Sequence, residues 1–222
     1  EMAAKFRFTP GQIAAAANRA RELSRGGVTP ELLHECCYAQ VVVGLNTLAT
    51  PIKPAYSWED LVLPESEIKL LKSALTHVKY RHKVYTEWGF SKKAAYGRGL
   101  SVLFSGPPGT GKTMAAQVIT NQLHMQLFKV QLSQIVSKYI GETEKNLRRV
   151  FTEAKNANCV LFFDETDALF GKRSEVKDSH DRHANIETAY LLQQMEEYDG
   201  VVLMATNLLQ NIDEAFMRRI SF

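Results

Sequence analysis

The pattern of apolar and polar positions divides the chain into two regimes. Up to residue 49 it reads as helices. Thr9-Pro10-Gly11-Gln12-Ile13 is a start signal, with Thr9 as N-cap and Pro10 at the first helical position. An alanine-rich stretch runs from Ile13 to Leu23, and Ser24-Arg25-Gly26-Gly27 breaks it. Thr29-Pro30-Glu31 repeats the signal and opens a helix to about Leu48. Two helices joined by a short loop have little core of their own. They are expected to pack on something else, or to belong to a domain that begins upstream. Thr50-Pro51-Ile52-Lys53-Pro54 reads as a linker, because two prolines this close cannot continue a helix. Trp58 to Pro64 is a short apolar segment, and a helical pattern follows from Glu65 to about Trp88. Gly89 and Gly97-Arg98-Gly99 bracket a turn.

From residue 100 strands and helices alternate. Strands are expected at 100–105, 126–132, 159–163 and 201–205, with helices at 112–124, 142–156 and 184–198. Strands separated by helices imply a parallel sheet with helices on its faces. The strands are continuous apolar runs, such as Val160-Leu161-Phe162-Phe163, which suits burial on both faces. Ile220-Ser221-Phe222 reads as the start of a further strand.

Composition narrows the class. The chain has 222 residues, 45% hydrophobic and 23% charged, which excludes disorder, collagen and coiled coil as overall descriptions. That length holds one large domain and a small one. No apolar run approaches the roughly 18 residues of a spanning helix, so no membrane role is expected. A net charge of +3 is too balanced to point to nucleic acid. Cys36, Cys37 and Cys159 form no CxxC pair, and Cys159 opens an apolar run as a small buried residue. A reduced, cytoplasmic protein is expected.

The chemistry lies in the second regime. Gly106-Pro107-Pro108-Gly109-Thr110-Gly111-Lys112-Thr113 fits G-x-x-x-x-G-K-[ST] between an expected strand and an expected helix, the setting of a phosphate-binding loop. Successive backbone N–H groups must wrap a polyphosphate, and glycine permits the curvature. Lys112 would reach the β/γ phosphates and the Thr113 hydroxyl would ligate Mg²⁺. The strand at 160–163 delivers Asp164 and Glu165 at its C-terminal end. Asp164 would hold Mg²⁺ through water, and Glu165 would orient and polarise the attacking water. Asp167 is open between supporting that pair and capping a helix. Asn207 ends the next strand, where a neutral amide can hydrogen-bond the γ-phosphate or the water. Arg218 and Arg219 are either a surface basic pair or an arginine finger for a neighbouring subunit.

Together these residues resemble the AAA+ ATPase superfamily, in its AAA branch, over residues 51–222. GPPGTGKT is similar to the Walker A loop, LFFDET to Walker B, Asn207 to sensor 1 and DEAFMRRISF to the second region of homology. The two arginines are adjacent, as in spastin-like proteins, rather than separated by Pro-Gly, so either or both could act as the finger. The resemblance implies a P-loop αβα sandwich, with ATP and Mg²⁺ as cofactors. Pro108, Gly109, Thr110, Gly111, Lys112, Thr113 and Met114, with Asp164, would bind the nucleotide. Backbone near Asp60-Leu61-Val62 would meet the adenine. Tyr139, Ile140 and Gly141 align with a pore loop that grips polypeptide. Residues 172–182 stand where a second pore loop would lie, although solvation explains their charge equally well. Arg98 and His82 acquire no role. Residues 1–49 resemble the lid of an upstream AAA module, 50–57 its linker, and 58–222 a nucleotide-binding large subdomain whose own lid would follow. The whole resembles bacterial tandem-AAA ATPases, some of which accompany contractile injection systems. The implied function is ATP hydrolysis by a self-associating ring, a hexamer, that remodels or threads protein substrates. The alternatives are a nucleotide-switched scaffold or a DNA-acting AAA+ protein.

Overall fold

The computed structural model describes residues 8–24, 26–45, 48–90, 98–130, 132–135, 141–166, 179–212 and 214–222. Helix α1 (Pro10–Leu23) begins with a capping box: the Thr9 hydroxyl accepts from the Gln12 N–H, and the Gln12 side chain accepts from the Thr9 N–H. Helix α2 (Pro30–Leu45) starts similarly, with the Leu32 N–H donating to the Thr29 hydroxyl. Then come strand β1 (Ala49–Ile52), helix α3 (Glu65–His82), β2 (Leu100–Ser105), α4 (Lys112–Gln122) and β3 (Leu127–Val130). The short α5 (Leu132–Ile135), α6 (Glu142–Ala157), β4 (Val160–Phe163), α7 (Ser179–Glu197), β5 (Val201–Thr206) and short α8 (Glu214–Met217) complete the order.

The sheet order is β1-β3-β4-β5-β2. The last four strands run parallel, and β1 is antiparallel to β3. That corrects two expectations. The sheet is mixed at one edge rather than wholly parallel. The stretch expected to be a linker contains a strand, with Pro51 opposite Phe128. Proline lacks a ladder donor, but an edge strand has one side on which none is needed. The rest of that stretch is tied to α4: Ala55 N–H donates to Gln117 Oε1 at 3.2 Å, and Asn121 Nδ2 donates to the Tyr56 carbonyl at 3.1 Å. The helix from Glu65 also changes character. It is α-helical to His82 and continues as one wide π turn over Lys83–Glu87.

Alternation along the strands makes two cores, one on each face. Leu127, Val160, Phe162, Val201, Leu203 and Ala205 pack against Ala116 and Ile119 of α4 and Leu71 and Ala74 of α3. Phe128, Leu161, Phe163, Val202 and Met204 face the other way, onto Leu147, Val150 and Phe151 of α6 and Leu191 and Met195 of α7. This is the expected three-layer αβα sandwich. Helices α1 and α2 join the second core through Ala16, Ala20, Cys36, Cys37 and Leu45, so they do pack on something else. Cys159 is fully buried, and burial pushes its thiol up to about 12. The backbone of Ser221 and Phe222 lies along the outer edge of β2, and Leu103 N–H donates to the Phe222 carbonyl.

Candidate nucleotide site

Parallel strands put all their C-terminal ends on one side, and three adjacent ones supply the site. β2 leads into residues 106–113, β5 into Asn207 and β4 into Asp164 and Glu165. Ligands of open α/β sheets sit at such ends. The turn after β2 uses the freedom of its glycines, with φ of 155° at Gly106, 80° at Gly109 and 87° at Gly111. The Thr110 hydroxyl donates to the Pro107 carbonyl at 2.9 Å and braces the turn. Gly111 is the N-cap of α4, and no side chain caps that end. The first N–H groups of a helix have no intrahelical partner, so those of Lys112, Thr113 and Met114 are available to an anion. Lys112 Nζ spends its three donors on the Gly106 carbonyl (2.8 Å), the Pro107 carbonyl (2.9 Å) and Asn207 Oδ1 (2.7 Å). The glycine loop's lysine and Asn207 are thus in direct contact.

The acidic half is built differently. Asp164 Oδ2 accepts from Lys129 Nζ at 2.7 Å, and Oδ1 accepts from the Glu165 N–H at 3.0 Å. Glu165 has φ of 54°, the left-handed region, and its side chain is exposed. Thr166 is fully buried, and both its N–H and its hydroxyl donate to the Ala205 carbonyl. Lys129 has no counterpart among the residues expected from sequence. Its signal was a charge inside the apolar run Leu127-Phe128-Lys129-Val130.

A cavity of about 390 Å³ lies beside the glycine turn, lined in part by Leu61, Leu63, Leu71, Phe104, Lys112 and Phe222. Of the three residues whose backbone is expected near adenine, Leu61 lines it and Asp60 and Val62 do not. The Asp60 carboxylate closes a capping box on Ser57, whose N–H and hydroxyl hold its pKa below the ordinary value, and Val62 is 93% exposed. Their neighbours Leu61 and Leu63 point inward instead. Gly141, with φ of 81°, is the N-cap of α6. Tyr139, Ile140, Asp167 and 172–178 lie outside the described residues. Arg218 and Arg219 follow α8. The Arg218 side chain is 78% exposed and paired with Glu214 one turn back at 3.3 Å. Arg219 Nε donates to Glu196 of α7 at 2.9 Å and is half covered.

The donors fit a polyphosphate with a hard cation. Uncapped N–H groups and a lysine could meet the anion, while the Thr113 hydroxyl and Asp164 could serve Mg²⁺, which keeps most of its waters and takes few protein ligands. The fold and this loop define a P-loop nucleotide-binding domain. The chain belongs to the AAA family of ATPases: the family model "ATPase family associated with various cellular activities (AAA)" matches residues 102–222. It is similar to the uncharacterized AAA family ATPase y4kL of Sinorhizobium fredii, 31% identical over 76% of this chain and 49% of that protein. It is similar to the peroxisomal ATPase PEX6 of Saccharomyces cerevisiae, 34% identical over 78% of this chain and 16% of that protein. The probable 26S proteasome regulatory subunit 10B of Caenorhabditis elegans is 40% identical over 52% of this chain and 30% of its own length. The chain therefore spans about half, or much less, of the curated relatives it matches.

Proposed function

We propose that this protein is an Mg²⁺-dependent ATPase that works as a ring, a hexamer, and remodels or threads protein substrates. The observation that carries the reading is the convergence of Lys112, Asn207, Asp164 and Glu165 at the ends of three adjacent parallel strands. Pro108, Gly109, Thr110 and Gly111 curve the backbone around the phosphates, and the N–H groups of Lys112, Thr113 and Met114 bind them. Lys112 exchanges its loop carbonyls for phosphate oxygens, a stronger charge-assisted pairing. Thr113 and Asp164 would hold Mg²⁺, which neutralises charge on the phosphates when bound. Glu165 takes the proton of the attacking water, and Asn207 holds that water or the γ-phosphate.

The finger comes from a neighbour. Arg218 is the freer of the two candidates, since its pair with Glu214 is exposed and such pairs hold weakly. Arg219 is anchored by Glu196 and orients the segment. The relatives named peroxisomal ATPase and proteasome regulatory subunit support action on protein, with Tyr139, Ile140 and Gly141 as the grip. Three buried free thiols favour a reducing compartment, the cytoplasm. Residues 1–49 serve as the lid of an upstream module, even though α1 and α2 share a core with this one.

Glu165→Gln tests the chemistry. The variant should bind ATP with an affinity within about threefold of the wild type and lose at least about 10²-fold in turnover, within the range of a lost general base. Turnover close to wild type would remove Glu165 from its role.

A further inference from the structure

Lys129 stands on β3, outside every motif that the proposed function uses. Its neighbours along the strand, Leu127, Phe128 and Val130, are all buried to within 1%. The Lys129 side chain itself is 40% exposed, and its ammonium meets Asp164, which is 24% exposed. Lys129 pairs in register with Phe162 of β4, two residues before Asp164, so Lys129 and Asp164 share one face of the sheet. That face is the one covered by α4, the helix that the phosphate loop opens.

The contact fixes more than one side chain. Lys129 takes Oδ2 of Asp164, and the Glu165 N–H takes Oδ1, so both oxygens are tied and the carboxylate plane is set. The same Oδ1 bond supports Glu165 in its left-handed conformation, which a residue with a Cβ adopts only when its surroundings hold it. On the far side Thr166 is clamped to the Ala205 carbonyl twice. Glu165 is therefore held between two anchored neighbours, one of them anchored by Lys129. Each tied oxygen keeps a further lone pair for waters of a cation.

We propose that Lys129 is a positioning residue for hydrolysis: through Asp164 it fixes the backbone of Glu165 and so the aim of the Glu165 carboxylate. The inference rests on the role of Glu165 given above. Removing the ammonium frees Asp164 to turn, deprives the Glu165 N–H of its acceptor and lets φ relax.

The test uses Lys129→Met, close in length and uncharged, and Lys129→Arg, which keeps the cation. Two readouts apply. The first is hydrogen exchange of the Glu165 amide in protein free of nucleotide and metal. The second is steady-state ATP hydrolysis. Lys129→Met should speed Glu165 exchange at least tenfold and lower kcat at least tenfold, with KM for ATP within about twofold. Lys129→Arg should restore most of both. Unchanged exchange or unchanged kcat in a folded Lys129→Met protein overturns the proposal, as does failure of Lys129→Arg to restore either. If Lys129→Met does not fold, Lys129→Gln takes its place with the same criteria. A wild type without ATPase activity would contradict the proposed function instead, and the exchange measurement would then decide whether Lys129 holds Glu165.

Discussion

Cys159 shows how a single residue reports on the interior. It has no exposed surface, and its Sγ lies 3.8 Å from the Ala154 carbonyl. Burial moves its pKa from 9.0 to about 12, because a thiolate would lose its water. Tyr38 is pushed to about 12, and Tyr198 also goes up, mainly by burial. The sign follows from linkage: between about pH 9 and 12 the unfolded chain gives up protons that the folded chain keeps. The stabilisation is complete below pH 9 and declines across that window. Cys159→Ala should cost about 1 kcal/mol near neutrality and flatten the alkaline loss seen in urea titrations at stepped pH. An unaltered alkaline slope would argue against a buried neutral thiol. The residues of the phosphate loop were legible in sequence because their chemistry demands a fixed spacing. The contact of Lys129 with Asp164 was not, because it depends on which strand lies beside β4, and no local spacing encodes that.

Among the elements, β2, α4, α6, β4 and β5 lie within two residues of where the apolar pattern put them. Long runs with one dominant period leave little choice. β1 is hidden in the sequence because its four residues include Pro51, which reads there as punctuation; at a sheet edge it is an ordinary strand residue. In the turn around Trp58–Asp60 neighbouring side chains face opposite ways, so Asp60 and Val62 turn out while Leu61 turns in. The segment after α8 carries its own prediction. Arg218→Ala should lower turnover by about 10³-fold, the low end of a finger's contribution, without changing the melting temperature. Arg219→Ala breaks the tie to Glu196 and should both slow turnover and loosen α7, read as faster hydrogen exchange near Glu196. If Arg219→Ala abolishes turnover and Arg218→Ala leaves it intact, the two roles are exchanged.

For the whole molecule, topology is what turns a list of motifs into a site. The order β1-β3-β4-β5-β2 sets the glycine loop, Asn207 and the Asp164-Glu165 pair side by side, although they are up to 101 residues apart in sequence from Gly106 to Asn207. The same arrangement leaves the Arg218 side chain 78% exposed and away from the contacts of Lys112, as the proposed finger requires. Under the proposed function hydrolysis should then require assembly, since one chain would supply the nucleotide half of the site and its neighbour the finger. Among the described residues no helix is long and apolar enough to cross a membrane.

ATP turnover per chain, measured with Mg²⁺ against protein concentration, tests that requirement most directly. The shared site predicts that turnover rises steeply with concentration and then levels off, and that excess Arg218→Ala protein mixed with the wild type lowers it. Turnover per chain that stays constant across the whole range, at a level well above background, would contradict the shared site and make each chain a complete enzyme.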